Sequence, residues 1–221
     1  MALEILRLGD ATLVVRGSNS LGKNLALAHK LRVAQLHAVQ DIVPAFASVG
    51  IFFEAPCDLA AVTAEIWAVL KRRAAQRGKS LRPRKVEIPV CYDREFALDL
   101  ERVAQHARLT PNEVAKCHQS GRYHVRCLGF TPGFPYLDGL PRRLATPRRD
   151  APRTSVPAGS VAIGGAQSGI YPLRSPGGWN IIGRTPLRLF DVAKERPTLL
   201  RPGDKIHFCA ISRQEFEQWE V

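Results

Sequence analysis

Three stretches decide how this chain folds: GFTPGFPYLDGLP at 129–141, ATPRRDAPRTSVPAGSVAIGGAQSGIYP at 145–172, and SPGGWNIIGRTP at 175–186. Their glycines and prolines punctuate short apolar runs: YHVRCLGF, SVPAGSVAIGG, GIYPL, WNIIGRTPLRLF and, further on, KIHFCAI. Many short strands with turn punctuation spell a β-sandwich or barrel. Proline fixes φ and glycine admits backbone angles closed to other residues, so these loops are shaped rather than floppy. Such loops can turn several N–H groups toward one point and cradle an oxyanion. The same glycines also serve as plain corners of a barrel, and both readings stand.

Upstream of this region the pattern becomes helical. Residues 96–107 carry Leu98, Leu100 and Val103 at helical spacing, and Thr110-Pro111-x-Glu113 opens a second helix with a cap and a proline in its first turn. The first 90 residues read as strand 11–16, helix 20–37, strands 42–46 and 48–54, helix 58–76 with Asp58 as N-cap, and strand 86–91 (VEIPVC). That order is the split-βαβ, ferredoxin-like pattern, an antiparallel sheet with two helices on one face. The expected fold is therefore α+β in two domains, residues 1–82 and 83–221, with the boundary near 78–85.

Composition narrows the function. Of 221 residues, 45% are hydrophobic and 24% charged, which excludes global disorder. No apolar run approaches the length of a membrane span, and Met-Ala-Leu-Glu does not begin a secretory signal, so a cytoplasmic location is expected. The net charge of +12 and pI near 10.0 point to an anionic partner. The run KRRAAQRGKSLRPRK at 71–85 holds eight basic residues and no acidic one. It reads as a nucleic-acid patch or as a cationic helix end with a polar linker. No aromatic is interleaved and no nucleic-acid motif appears, so no specific nucleic-acid partner is expected.

Five cysteines, an odd number with no Cys-x-x-Cys, suit a reducing compartment. Cys117, His118, His124 and Cys127 are soft ligands, but adjacent Cys117 and His118 diverge, so no metal is expected.

The candidate site is the barrel mouth. Residues 141–153 hold Arg142, Arg143, Arg148, Arg149 and Arg153 against Asp150 alone. Arginine's planar fork binds carboxylate or phosphate at two points. A solvated loop is the other reading. Phe134, Tyr136, Tyr171 and Trp179 offer an aromatic wall, Gln167 an amide partner, and Arg184 a cation leaving a strand. Phe130 reads as a core plug. His118, with an unperturbed pKa near neutrality, is the candidate proton carrier beside Arg184; a packing or capping role is the other reading. Replacing Arg148 or Arg153 is expected to leave folding nearly unchanged. No phosphate loop, nucleophile elbow, metalloprotease helix or dinucleotide fingerprint is present, which argues against a self-contained enzyme of a common class.

GFTPGFPYL, TPRRDAPRTSVPAGSVAIGGAQSGIYP and SPGGWNIIGRTP, together with LGDATLVV and VPAFASVGIFF, resemble the family that includes allophanate hydrolase subunit 1, Kip-type histidine-kinase inhibitors and the B subunit of the ATP-dependent 5-oxoprolinase. The resemblance covers essentially the whole chain. It departs at Tyr92-Asp93-Arg94-Glu95-Phe96-Ala97, where the family carries glycines in place of Asp93, Arg94 and Ala97. It implies a cyclophilin-like barrel after the ferredoxin-like domain. It also implies partnership with the C and A subunits of the same complex, the former carrying a related barrel. The implied activity is the opening of 5-oxoproline to glutamate with ATP and Mg2+, in a site shared between subunits. The alternative is a regulatory protein that inhibits a sensor histidine kinase.

Overall fold

A computed structural model describes residues 3–72 and 83–219. The architecture is mixed α+β. The chain gathers into two compact units, Met1–Arg82 and Pro83–Val221.

In the first unit, strands β1 (Glu4–Arg7), β2 (Thr12–Arg16), β3 (Val39–Pro44) and β4 (Ser48–Phe53) form an antiparallel sheet in the order β1-β2-β4-β3. Period-two alternation turns Leu13, Val15, Val49, Ile51 and Phe53 into one core. They meet Ala28 and Leu31 of α1 (Leu21–Val33) and Val62, Ile66 and Val69 of α2 (Leu59–Lys71). Asp58 caps α2 as its sequence predicts, accepting from the N–H groups of Ala60 and Ala61 at 2.9 and 3.1 Å.

The expected closing strand 86–91 does not belong to this sheet. Its place beside β2 is taken by β1, which has no counterpart among the strands expected from the sequence. VEIPVC instead forms most of β5 (Lys85–Val90), an edge strand parallel to β13 (Lys205–Ala210) in the second unit. Only an edge readily accepts Pro89, which has no N–H for a ladder. Residues 73–82, the middle of the basic run and the end of the expected helix, lie outside the described residues.

The second unit is built on a seven-stranded sheet in the order β12-β9-β10-β7-β6-β13-β5. Its remaining members are β6 (Tyr123–Leu128), β7 (Pro135–Asp138), β9 (Ser160–Gly164), β10 (Gln167–Ile170) and β12 (Asn180–Arg184). Cys91 and Arg184 exchange two backbone hydrogen bonds of 2.9 Å, joining the end of β5 to the end of β12 and nearly closing a barrel. Strands β8 (Arg153–Val156) and β11 (Ser175–Gly177) pair separately.

The main core collects Ile88, Val90, Val125, Leu137, Val161, Ile163, Ile170, Ile182, Ile206 and Phe208 with Leu100, Val103 and Ala104 of α3 (Leu100–Ala107) and Val114 of α4 (Pro111–Gln119). Thr110 and Glu113 form the expected capping box. A short helix α5 (Arg213–Glu217) follows β13. No described helix is long and apolar enough to cross a membrane.

Candidate functional site

The other face of the same sheet carries an aromatic platform. Alternation and register place Tyr136, Gly169, Ala162 and Ile181 in one row across β7, β10, β9 and β12. The two central residues are small, which leaves room for rings. A Cβ on Gly169 would lie 2.8 Å from the Phe134 ring, and one on Gly164 would lie 2.4 Å from Trp179. Only glycine lets these rings lie directly on the backbone. Phe134 is the hub, edge-on to Tyr136 at 5.0 Å, Tyr171 at 5.2 Å and Trp179 at 5.6 Å.

The arginine loop lies against this platform. Arg148 is exposed, with its Cζ 5.6 Å from the centre of the Trp179 ring. Its neighbours behave differently. Arg149 Nη1 donates to Asp99 Oδ1 at 2.8 Å, and Arg153 donates to both Asp99 oxygens at 2.8 and 2.9 Å. The Asp99 carboxylate also accepts from the Ile181 N–H at 2.8 Å and is buried, with 4% of the residue exposed. One carboxylate thus binds two guanidinium groups, leaving a surplus of positive charge beside Arg148.

Burial raises the Tyr171 hydroxyl above its usual range; the Trp179 backbone N–H and then Arg148 and Arg153 pull it back. Burial likewise raises Tyr136, assisted by Cys127 and opposed by Arg148. Both hydroxyls therefore remain protonated near neutrality; Tyr136 is half-buried, whereas Tyr171 is buried, its hydroxyl packed against Gly177.

The structure brings Phe134, Tyr136, Arg148, Tyr171 and Trp179 together. Gln167 stands on the same face of β10, two residues from Gly169 and paired with Gly164. Arg153 is close by, but its guanidinium is committed to Asp99, which corrects the expectation that replacing it leaves folding unchanged. Arg184 stands at the far end of β12, five residues or about 16 Å of strand beyond Trp179. Its Nε donates to the Ala158 carbonyl at 2.9 Å, and its Cζ lies 5.9 Å from the Phe216 ring.

His118 lies on the core side of the sheet with no exposed surface. Its Nδ1 meets Tyr92 Oη at 2.8 Å and its Nε2 meets Ser168 Oγ at 3.2 Å; Ser168 also donates to the Ala162 carbonyl. These partners suit a neutral ring protonated at Nε2, and desolvation lowers its pKa to about 3. Phe130, expected as a core plug, is 63% exposed with φ of 69°. The turn closed by the Gly129 N–H on the Phe134 carbonyl at 3.1 Å carries Phe130 at the surface, and Phe134 is the buried ring.

Sequence reasoning missed Asp99. The apolar spacing starts a helix at 96, which hides Asp99 inside it, whereas α3 begins at Leu100. An acid directly before a new helix was the available signal.

A family model described as carboxyltransferase domain, subdomain C and D, matches residues 3–200. The 5-oxoprolinase B subunit of Bacillus subtilis is 37% identical over an alignment of 231 residues, covering 98% of this chain and 96% of that protein. The 5-oxoprolinase B subunit of Escherichia coli O157:H7 is 44% identical over 179 residues, 80% of each chain. The crystal structure of TTHA0988 superposes with a TM-score of 0.75 at 36% identity, covering 91% of this chain and 40% of that longer one. With the family model spanning residues 3–200 and a 5-oxoprolinase B subunit matching nearly end to end, this chain belongs to the family of carboxyltransferase domains, subdomains C and D.

Proposed function

We propose that this chain is the B subunit of a 5-oxoprolinase, a cytoplasmic complex that opens 5-oxoproline to glutamate at the expense of ATP. The observation that carries the reading is the end-to-end similarity to a 5-oxoprolinase B subunit. The arginine–aromatic face supplies a chemistry that fits it. Lactam opening needs its amide carbonyl activated: ATP phosphorylates the oxygen and ADP leaves. Water adds at the carbon, and the adduct expels the protonated ring nitrogen, breaking the C–N bond to give an acyl phosphate. A second water hydrolyses the acyl phosphate to glutamate and phosphate. Such a reaction calls for cations and oriented donors rather than a protein nucleophile.

In this reading Arg148 takes the carboxylate or phosphate, Tyr136 donates, Gln167 meets the amide, Phe134 and Trp179 form the aromatic wall, and Tyr171 supports that wall from beneath. Arg153 acts through Asp99. His118, enclosed and neutral, and Arg184, beside Phe216, serve the scaffold of the barrel. ATP, with Mg2+, enters as a substrate of the complex. The A and C subunits, the latter with a related barrel, complete the site. The two units are read as a ferredoxin-like domain, residues 1–82, and a cyclophilin-like barrel domain, 83–221. In the first, the antiparallel order β1-β2-β4-β3 with two helices supports this, β1 occupying the edge where a closing strand would stand. No observation favours the kinase-inhibitor alternative.

The test is reconstitution. Phosphate release that depends on 5-oxoproline is expected only when this chain and its partner subunits are combined. Release by this chain alone at the same rate would contradict a shared site.

A further inference from the structure

Arg148 sits between two hydrogen-bond tethers that land on either side of Trp179. The Pro147 carbonyl accepts from Asn180 Nδ2 at 2.9 Å, and the Arg149 N–H donates to the Gly178 carbonyl at 2.8 Å. Residues 147 and 149 are thereby pinned to 180 and 178, and the side chain between them meets the ring between those two. Asp99 ties the same segments a second time. Its carboxylate holds Arg149 and Arg153 from the loop and the N–H of Ile181 from β12, and its own N–H donates to the Ile181 carbonyl at 2.8 Å.

We propose that Asp99 is the positioning residue of the arginine face: by clamping residues 149, 153 and 181 together, it holds Arg148 over Trp179, ready to bind an anion. The inference rests on the reading of this face as a ligand site. Arg148 has no ion-pair partner among the described residues, so its charge is available to a ligand. A long side chain that must first be ordered gives up part of its binding energy to lost rotamer freedom. The clamp removes part of that cost before the ligand arrives. Asp99 itself is enclosed by its partners and touches no ligand, so it acts only through Arg148.

The test is a double-mutant cycle in the reconstituted complex. Asp99→Asn keeps the volume and removes the charge. The KM for 5-oxoproline is expected to rise about tenfold with kcat within about twofold, the size usual for coupled neighbours. In the Arg148→Ala background the same substitution is expected to change KM less than about twofold, because the residue it positions is gone. Equal effects of Asp99→Asn in both backgrounds would overturn the proposal. Arg149→Ala is the second variant, since it leaves Asp99 paired with Arg153 and Ile181, and the same non-additivity is expected.

A readout independent of turnover is the Trp179 indole N–H resonance in the isolated chain, assigned with Trp179→Phe. It is expected to move in Asp99→Asn and Arg149→Ala toward its position in Arg148→Ala. An unmoved resonance in both variants overturns the clamp even if the complex is active. A wild-type complex that ignores 5-oxoproline overturns the assigned substrate, while the resonance still decides the clamp.

Discussion

Adjacent residues of β10 face opposite chemistries. Ser168 points into the core, where it meets a histidine that is fully enclosed. Gly169 points the other way and lies under the Phe134 and Trp179 rings, near the exposed Arg148. On the core side every polar atom of the Tyr92–His118–Ser168 chain has a partner within the protein. On the platform side Asp99 binds Arg149 and Arg153 and leaves Arg148 exposed over an aromatic ring. Residue type alone therefore does not mark a site. A histidine with every donor and acceptor satisfied is scaffold, whereas an exposed arginine with no ion-pair partner among the described residues is free to act.

The comparison can be broken most forcefully at Asp99. Asp99→Ala leaves two partly buried guanidinium groups without their carboxylate, and the loss expected from breaking such a pair is about 3–5 kcal/mol. Thermal unfolding should show it as a drop of about 10 °C or more in Tm. A variant that melts like the wild type would mean that the Asp99 cluster contributes nothing to the fold.

The core side predicts a pH dependence. His118 is held neutral in the folded state with its pKa near 3, whereas the unfolded chain takes up a proton around 6.5. The unfolded state therefore binds more protons between these values, and stability falls as pH drops below about 6.5, by about 3 kcal/mol at pH 4. Above about pH 7 the contribution is fully present. Denaturant titrations at pH 4 and pH 7 measure it. His118→Leu should be less stable at pH 7 and lose this part of the slope.

The glycine seats sharpen the contrast at smaller cost. Gly164→Ala would place a methyl 2.4 Å from the Trp179 ring, so the ring must lift. Overpacking of this kind costs about 1–3 kcal/mol. A shift in Trp179 fluorescence should accompany the lower Tm, and a variant with unchanged emission and Tm would show that the ring does not rest on this backbone.

The smallest stability effect belongs to the residue assigned the largest functional one. Arg148→Ala removes one exposed cation–π contact, worth about 0.5–1 kcal/mol. Substrate-stimulated ATP hydrolysis by the reconstituted complex is nonetheless expected to fall about tenfold or more. Arg148→Lys should fare nearly as badly, because an ammonium cannot reproduce a two-point fork. Full activity of the Lys variant would rule out the fork.

Much of this molecule was written locally in its sequence. Asp58 and Thr110 announce helix starts because a capping side chain and the N–H it satisfies are two or three residues apart. The Gly- and Pro-rich region from 128 to 184 announces a barrel because turn chemistry and period-two alternation are properties of neighbouring residues. The arginine loop and the aromatic wall were visible as residue types, and Phe134, Tyr136, Arg148, Tyr171 and Trp179 do converge.

The tertiary structure alone decided the partners. Asp99 lies 50 and 54 residues before the arginines it binds, a separation that no local pattern encodes. Strand 86–91 read well as a strand, but its sheet was decided by pairing with β13, whose partner residues lie 120 positions further along the chain. His118 and Arg148 both read as polar site candidates in the sequence. Burial keeps His118 neutral in the core, whereas Asp99 pairs with the neighbours of Arg148 and leaves Arg148 itself exposed and charged. Spacing sets local structure, while burial and long-range pairing set which charges survive, because desolvation and ion pairing depend on the surroundings in space rather than on position along the chain.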